Sequence, residues 1–224
     1  MFVNRGIMAS GALMLPSDIP ARVVFGASEF SSGSGTTFTS AALAIGPASA
    51  SRVVAAAISY RTVGAASPTN VTIGGITATS QASGRSADGW NSVEIWTAVV
   101  PTGTTAVVFV DWGVTAYFPG VATYSMYNLK SAAATDSGSS NANPGSISNC
   151  DVLAGGVVLS ASFDGESSAT VTWSGTLGIL EDYDAGTKSR SGASKAKHGN
   201  SVSETIIATY SSFSQPVVVA AAFR

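Results

Sequence analysis

What most constrains this chain is its punctuation. Short runs rich in Val, Ile, Thr and aromatic residues are broken at near-regular intervals by clusters of Gly, Ser, Pro and Asn. β-Branched and aromatic side chains suit a pleated, half-buried surface, while Gly, Pro and Asn supply the dihedrals of turns. The pattern predicts about ten or eleven strands and no helix, which means a sandwich or barrel. The 52–61 run (Arg52-Val-Val-Ala-Ala-Ala-Ile-Ser-Tyr-Arg61) is apolar almost throughout, as a central strand would be. Its alanines also suit a helix, but Val53-Val54 and the flanking Pro47 and Gly64 favour a strand. Val71-Thr72-Ile73, Gly74-Gly75 and Ile76-Thr77-Ala78-Thr79 read as a hairpin. Further strands are expected at Ala21–Phe25, Ser92–Val100, Ala106–Val110, Val121–Leu129, Asp151–Phe163, Ala169–Trp173, Leu177–Tyr183, Thr205–Tyr210 and Pro216–Phe223. Loops are expected at Ser31–Thr37, Ser83–Gly89 and Ser131–Ser148, and turns at Pro101–Thr104 and Phe118-Pro119-Gly120.

The fold class predicted is therefore all-β: a two-sheet antiparallel β-sandwich, jelly-roll-like, with an immunoglobulin-like strand order as the alternative. The 224 residues are read as an N-terminal arm or docking strand over 1–19 and a single sandwich over 20–224. The later half is expected to lack enough strands for a core of its own. Arg5 followed by a short apolar run resembles a signal-peptide core, but Ser10 and Gly11 dilute it and no clear cleavage site follows. We expect it to be an uncleaved docking arm, with Ile7, Met8, Leu13, Met14 and Leu15 as its contact residues.

Composition narrows function. A net charge of −2 offers no basic footprint for nucleic acid. No apolar run approaches the roughly 18 residues of a spanning helix, so neither nucleic acid nor membrane is an expected partner. Charged residues are only 11% of the chain, which leaves a surface of Ser, Thr, Asn, Gly and Ala suited to packing within an assembly. Cys150 is the only cysteine, so no intrachain disulfide is possible. His198 is the only histidine, and it would have to carry any serine-hydrolase or zinc chemistry alone. No catalytic residues and no cofactor are expected.

Two groups stand as candidate sites. Glu181-Asp182-Tyr183-Asp184 is the densest acidic segment and contains hard oxygen ligands of the kind calcium takes. Strand alternation, however, splits its carboxylates, and a surface charge pairing with the following Lys188, Arg190, Lys195 and Lys197, or a solvated hairpin, is the expected role. Trp90, with Asp88 and Asn91 at a loop–strand junction, is the best candidate for an exposed platform that stacks a sugar, with simple packing as the alternative. Trp96 alternates with Val93 and Ile95 and is expected to be core or half-buried.

Ser51-Arg52-Val53-Val54-Ala55, then Val71 to Thr79, then Val100-Pro101-Thr102-Gly103-Thr104-Thr105 occur in an order that resembles the β-sandwich structural proteins of tailed bacteriophages, prophages and gene-transfer particles. Similar modules occur in large bacterial surface proteins. Ala154 to Val158 and Thr172-Trp173 fit the same layout, and the likeness spans Pro20 to Phe223. The resemblance implies a non-enzymatic virion protein, assembled in the host cytoplasm and exposed on the particle as a head decoration or spike, or as a tail fibre or tip component. It implies other capsid or tail proteins and further copies of the chain as partners. A carbohydrate-binding module for adsorption to host-surface polysaccharide is the alternative, and a glycan-degrading enzyme a third reading.

Overall fold

The computed structural model describes residues 19–165, 168–185, 188–197, 199 and 202–224. Ile7, Met8, Leu13, Met14 and Leu15 of the arm, and His198, lie outside the described residues. Every element described is a strand, and every pairing is antiparallel. The chain is an antiparallel β-sandwich, as its punctuation predicts.

The largest sheet contains β1 (Arg22–Phe30), β2 (Ser34–Thr39), β4 (Val53–Thr62), β5 (Asn70–Ile73), β6 (Ile76–Thr77), β7 (Thr79–Arg85), β8 (Asn91–Val99) and β10 (Val108–Tyr127). Its order is β6-β5-β10-β4-β8-β7, with β1 and β2 also paired to β10. It curls into a half-barrel, and the short pair β3 (Leu43–Ala44) and β9 (Thr105–Ala106) lies at its mouth. The middle sheet runs β11 (Asp136–Ser140), β18 (Val217–Phe223), β13 (Val157–Phe163), β16 (Ser191–Ala196) and β15 (Leu180–Asp184). A third, smaller sheet holds β12 (Gly145–Val152), β17 (Val202–Tyr210) and β14 (Val171–Gly175).

Side-chain parity explains this layering, because successive residues of a strand face opposite ways. On β18, Val217, Val219, Ala221 and Phe223 join a core shared with the large sheet, while Val218, Ala220 and Ala222 join a second core with the small sheet. β4 behaves likewise: Val53, Ala55 and Ala57 face the shared core, and Val54, Ala56, Ile58 and Tyr60 fill the half-barrel. Strands buried on both faces read as unbroken apolar runs, which is why 52–61 and 216–223 lack alternation. The third layer corrects the expectation for the later half. Its core of Ile147, Cys150, Val152, Trp173, Ile206 and their neighbours is drawn entirely from residues 147–222.

Three expected loops are partly strand. Ser34–Thr39 pairs with β10, β7 runs on to Arg85, and Ser131–Ser148 holds β11 and the start of β12. Main-chain hydrogen bonds build such strands without apolar side chains. In β11 small residues are required, since a Cβ on Gly138 would stand 2.6 Å from Ile147 Cγ2. The Gly74-Gly75 hairpin is present, with both glycines at positive φ (61° and 79°) as a type I′ turn demands.

The predicted turn at Phe118-Pro119-Gly120 is instead a bulge within the 20-residue strand β10. Tyr117 pairs with Arg61 and Gly120 with Ser59, so one extra residue is accommodated. Phe118 takes φ 52°, and Pro119, which has no N–H to pair, sits inside the bulge. The extra residue reverses parity. Before it, Val108, Val110, Trp112 and Ala116 fill the half-barrel; after it, Val121 does, while Ala122, Tyr124 and Met126 turn to the shared core. A Cβ at Gly120 would lie 2.4 Å from the Phe30 ring, so only glycine fits there.

Past the bulge, Thr123, Ser125 and Tyr127 donate to the carbonyls of Ala44, Ile45 and Pro47 respectively. Arg52 completes this clasp. It is fully buried, and it donates from Nε to Val100 O (2.9 Å), from Nη1 to the carbonyls of Ile45, Gly46 and Pro47, and from Nη2 to Thr102 O (2.7 Å). A rigid guanidinium fork thus pins two loops to the rim of the half-barrel. Arg52→Met should lower unfolding free energy by about 3 kcal/mol or more, because buried carbonyls left without donors each cost about 1–3 kcal/mol. Urea denaturation reads this directly, and a loss below about 1 kcal/mol would show that the clasp is not needed.

Candidate functional site

At the bulge of β10, Tyr117 is exposed and Phe118 is half-buried. Beside them, across the register pair Tyr117–Arg61, lie the end of β4 and the turn before β8. Arg61, Val63, Trp90, Tyr117 and Phe118 line a surface cleft of about 400 Å³, a size within the roughly 300–1,000 Å³ usual for small-ligand sites. Val63, Trp90 and Tyr117 are 62%, 39% and 38% exposed, an unusual cluster of solvent-facing apolar groups. The Arg61 guanidinium lies over the Trp90 ring, 4.4 Å from its centroid.

The frame beneath the cleft is well tied. Asp88 Oδ1 accepts from Ser86 Oγ and from the backbone N–H of Trp90 (3.1 Å), closing an Asx-type turn in which Gly89 adopts φ 78°. Asn91 is buried; its Nδ2 donates to Gln215 O (2.8 Å), and its backbone N–H donates to Ser86 Oγ (3.0 Å). Of the three residues singled out from sequence, Trp90 stands at the surface, Asp88 holds the turn that presents it, and Asn91 anchors that turn to the loop before β18. Phe118 is fixed from both sides: its N–H donates to Gly33 O (2.9 Å), and its carbonyl accepts from Arg190 Nη2.

Arg190 links the sheets. It is buried, its guanidinium lies between the Phe30 and Phe163 rings (5.0 and 5.1 Å), and Nε donates to Ser59 Oγ (3.2 Å). Burial lowers its pKa to about 10, opposed by the nearby Tyr183. On its outer side Phe30, Ser31, Ser32, Phe118, Lys188 and Arg190 line a second cleft of about 280 Å³. The two clefts share Phe118. Lys188 places its ammonium over the Phe118 ring at 4.4 Å. Sequence reading singles out Trp90 but misses Tyr117, Phe118 and Phe30; the aromatic pair directly before Pro119-Gly120 is the signal that marks them.

The other tryptophans do not join this surface. Trp96 is half-buried and donates to Glu94 Oε2 (2.8 Å), Trp112 is buried against Tyr60, and Trp173 donates to Ser191 Oγ (2.7 Å). Glu94 is itself buried and accepts from the Tyr60 hydroxyl, which satisfies a carboxylate inside the half-barrel.

In the acidic segment the expected alternation is broken, because a register shift falls between Glu181 and Tyr183. Glu181 accepts from Ser191 Oγ (3.3 Å) and Asp184 from the Val171 N–H (3.3 Å). Among the described residues no group of three or more His, Cys, Asp or Glu side chains could hold a metal ion. Burial raises the pKa of Asp182, opposed by the adjacent Ser194 and Tyr124 hydroxyls. Burial also raises the Cys150 thiol to about 12, so it is a poor nucleophile at neutral pH.

No family model matches the chain, and no curated protein or solved structure is significantly similar to it.

A native carboxyl raised above its unfolded value keeps its proton longer in the folded state, so stability falls as pH rises through that range. Asp182→Asn should therefore raise the melting temperature at about pH 7, and the gap should close near about pH 3, where the carboxyl is neutral in both states. Thermal scans at the two pH values check the sign; a variant less stable than wild type at the higher pH would refute it.

Proposed function

We propose that this chain is a non-enzymatic surface protein of a phage-like particle and that it contacts host-surface polysaccharide through the Trp90 cleft. The observation that carries the binding half is the aromatic cleft at the β10 bulge. Trp90, Tyr117 and Phe118 converge on one opening, and each aromatic is held by backbone geometry rather than by a flexible loop alone. Flat apolar faces beside polar groups suit the C–H faces of pyranose rings, and tryptophan and tyrosine give large contact areas at small entropic cost. Polysaccharide repeats would engage many copies at once, so weak single sites on a particle add up to firm adsorption.

The particle half is supported by the strand-and-turn resemblance and by the low-charge surface. In that reading the chain decorates the head or forms part of a tail fibre or tip, in several copies, and residues 1–15 attach it to neighbouring capsid or tail proteins. Deleting residues 1–15 is expected to abolish incorporation into particles while leaving the sandwich folded; normal incorporation of the deletion variant would count against this attachment.

The binding half is tested on a bacterial glycan array probed with a multivalent display of the whole chain. The native protein should bind at least one polysaccharide class, and Trp90→Ala should weaken that binding by about tenfold or more, equivalent to about 1.4 kcal/mol. Trp90 is substantially exposed, so circular dichroism should show the same fold in both. Binding unaffected by Trp90→Ala would place the contact elsewhere.

A further inference from the structure

We propose that the cleft is selective for acidic saccharides, with a pyranose ring lying against Trp90, Tyr117 and Phe118 and its anionic substituent meeting the Lys188 ammonium. This deepens the saccharide reading above and rests on it. The two clefts meet at Phe118, so a sugar in the larger one has a neighbouring pocket for its substituent or its next residue. Cationic side chains line both: Arg61 the larger, Lys188 and Arg190 the smaller. Neither lining contains a carboxylate among the described residues. Asp88, close by in sequence, is committed to Ser86 and to the Trp90 N–H. Arg61 and Arg190 are already engaged, Arg61 over the Trp90 ring and Arg190 with Ser59 and the Phe118 carbonyl, so the role falls to Lys188.

Lys188 suits the role chemically. Its ammonium is a compact charge with rotatable donors, which accepts a carboxylate or a phosphate ester without demanding one geometry. Its ammonium is held over the Phe118 ring, 4.4 Å from the centroid. Phe118, Lys188 and Ser189 all occupy left-handed backbone conformations, at φ 52°, 59° and 40°. Such residues are costly without glycine's freedom, and they concentrate where a fixed side-chain position serves binding. Anionic groups on sugars come from uronate carboxyls and from phosphate substituents, and the Lys188 chemistry is common to both.

The test uses the whole chain and paired probes: uronate-bearing bacterial polysaccharides, their carboxyl-reduced counterparts with unchanged linkages, a phosphate-substituted polysaccharide, and inorganic phosphate as competitor. At least one acidic polysaccharide should bind tenfold or more tightly than its carboxyl-reduced form, with the gap narrowing as salt is raised. Lys188→Gln should lower affinity for the acidic form to the level of the reduced form measured on the same variant, and Lys188→Arg should keep the preference. Preference for the phosphate-substituted probe over its dephosphorylated form would identify phosphate as the anionic source and support the same chemistry. Equal binding of acidic and neutral forms would overturn the selectivity and leave the saccharide reading standing. Binding of none of the polysaccharides would overturn both. Displacement by inorganic phosphate as effective as by the polysaccharide would overturn the inference, because the surface would then hold a free anion.

Discussion

One extra residue in β10, at Phe118-Pro119, is the constraint on which the other features depend. Without it, a strand of this length would present one set of alternating residues to one face throughout. With it, the first half of β10 fills the half-barrel and the second half supplies Tyr124 and Met126 to the core shared with the middle sheet. The same reversal aims Ser125 and Tyr127 at the Ile45 and Pro47 carbonyls that Arg52 also gathers, and Thr123 at the neighbouring Ala44 carbonyl. The bulge leaves Phe118 and Pro119 without partners on β4, and the half-buried Phe118 ring lines both clefts beside the exposed Tyr117. The cleft thus sits at the point where β10 exchanges the set of residues it gives to each of its two cores.

The fold class was legible because turn chemistry is local. Gly74-Gly75 declares a hairpin through dihedrals that only glycine adopts easily, and 52–61 declares a strand through its β-branched and apolar content. Layering was less legible. An apolar run such as 216–223 says that both faces are buried, but not which sheets cover them. β11 was hidden because Asp136-Ser-Gly-Ser-Ser140 pairs through its main chain, and its small side chains are selected by the closeness of Ile147 rather than by strand propensity. The Phe118-Pro119-Gly120 triplet carries the composition of a turn, and a bulge uses the same dihedrals. Only the partner strands distinguish the two.

The site was partly legible for the same reason. Trp90 between Gly89 and a strand reads as a presented aromatic, and it stands at the surface. Asn91 reads equally well as a polar contact, yet a one-residue step along the strand turns it inward to Gln215. Lys188 comes from a segment distant in sequence from Tyr117 and Phe118, and Arg190 ties the Phe118 carbonyl to the start of β16 beside it. Arg190 therefore crosses between sheets and fixes the residue common to both clefts.

We propose that ligand contact is confined to the surface beside this bulge. The chain has four tryptophans, and their indole N–H groups serve as separate reporters of surface and core. A two-dimensional NMR titration with a bound oligosaccharide follows all of them at once. The account predicts a saturable shift of the Trp90 indole signal while those of Trp112 and Trp173 stay in place. Saturation with an unmoved Trp90 signal would contradict it.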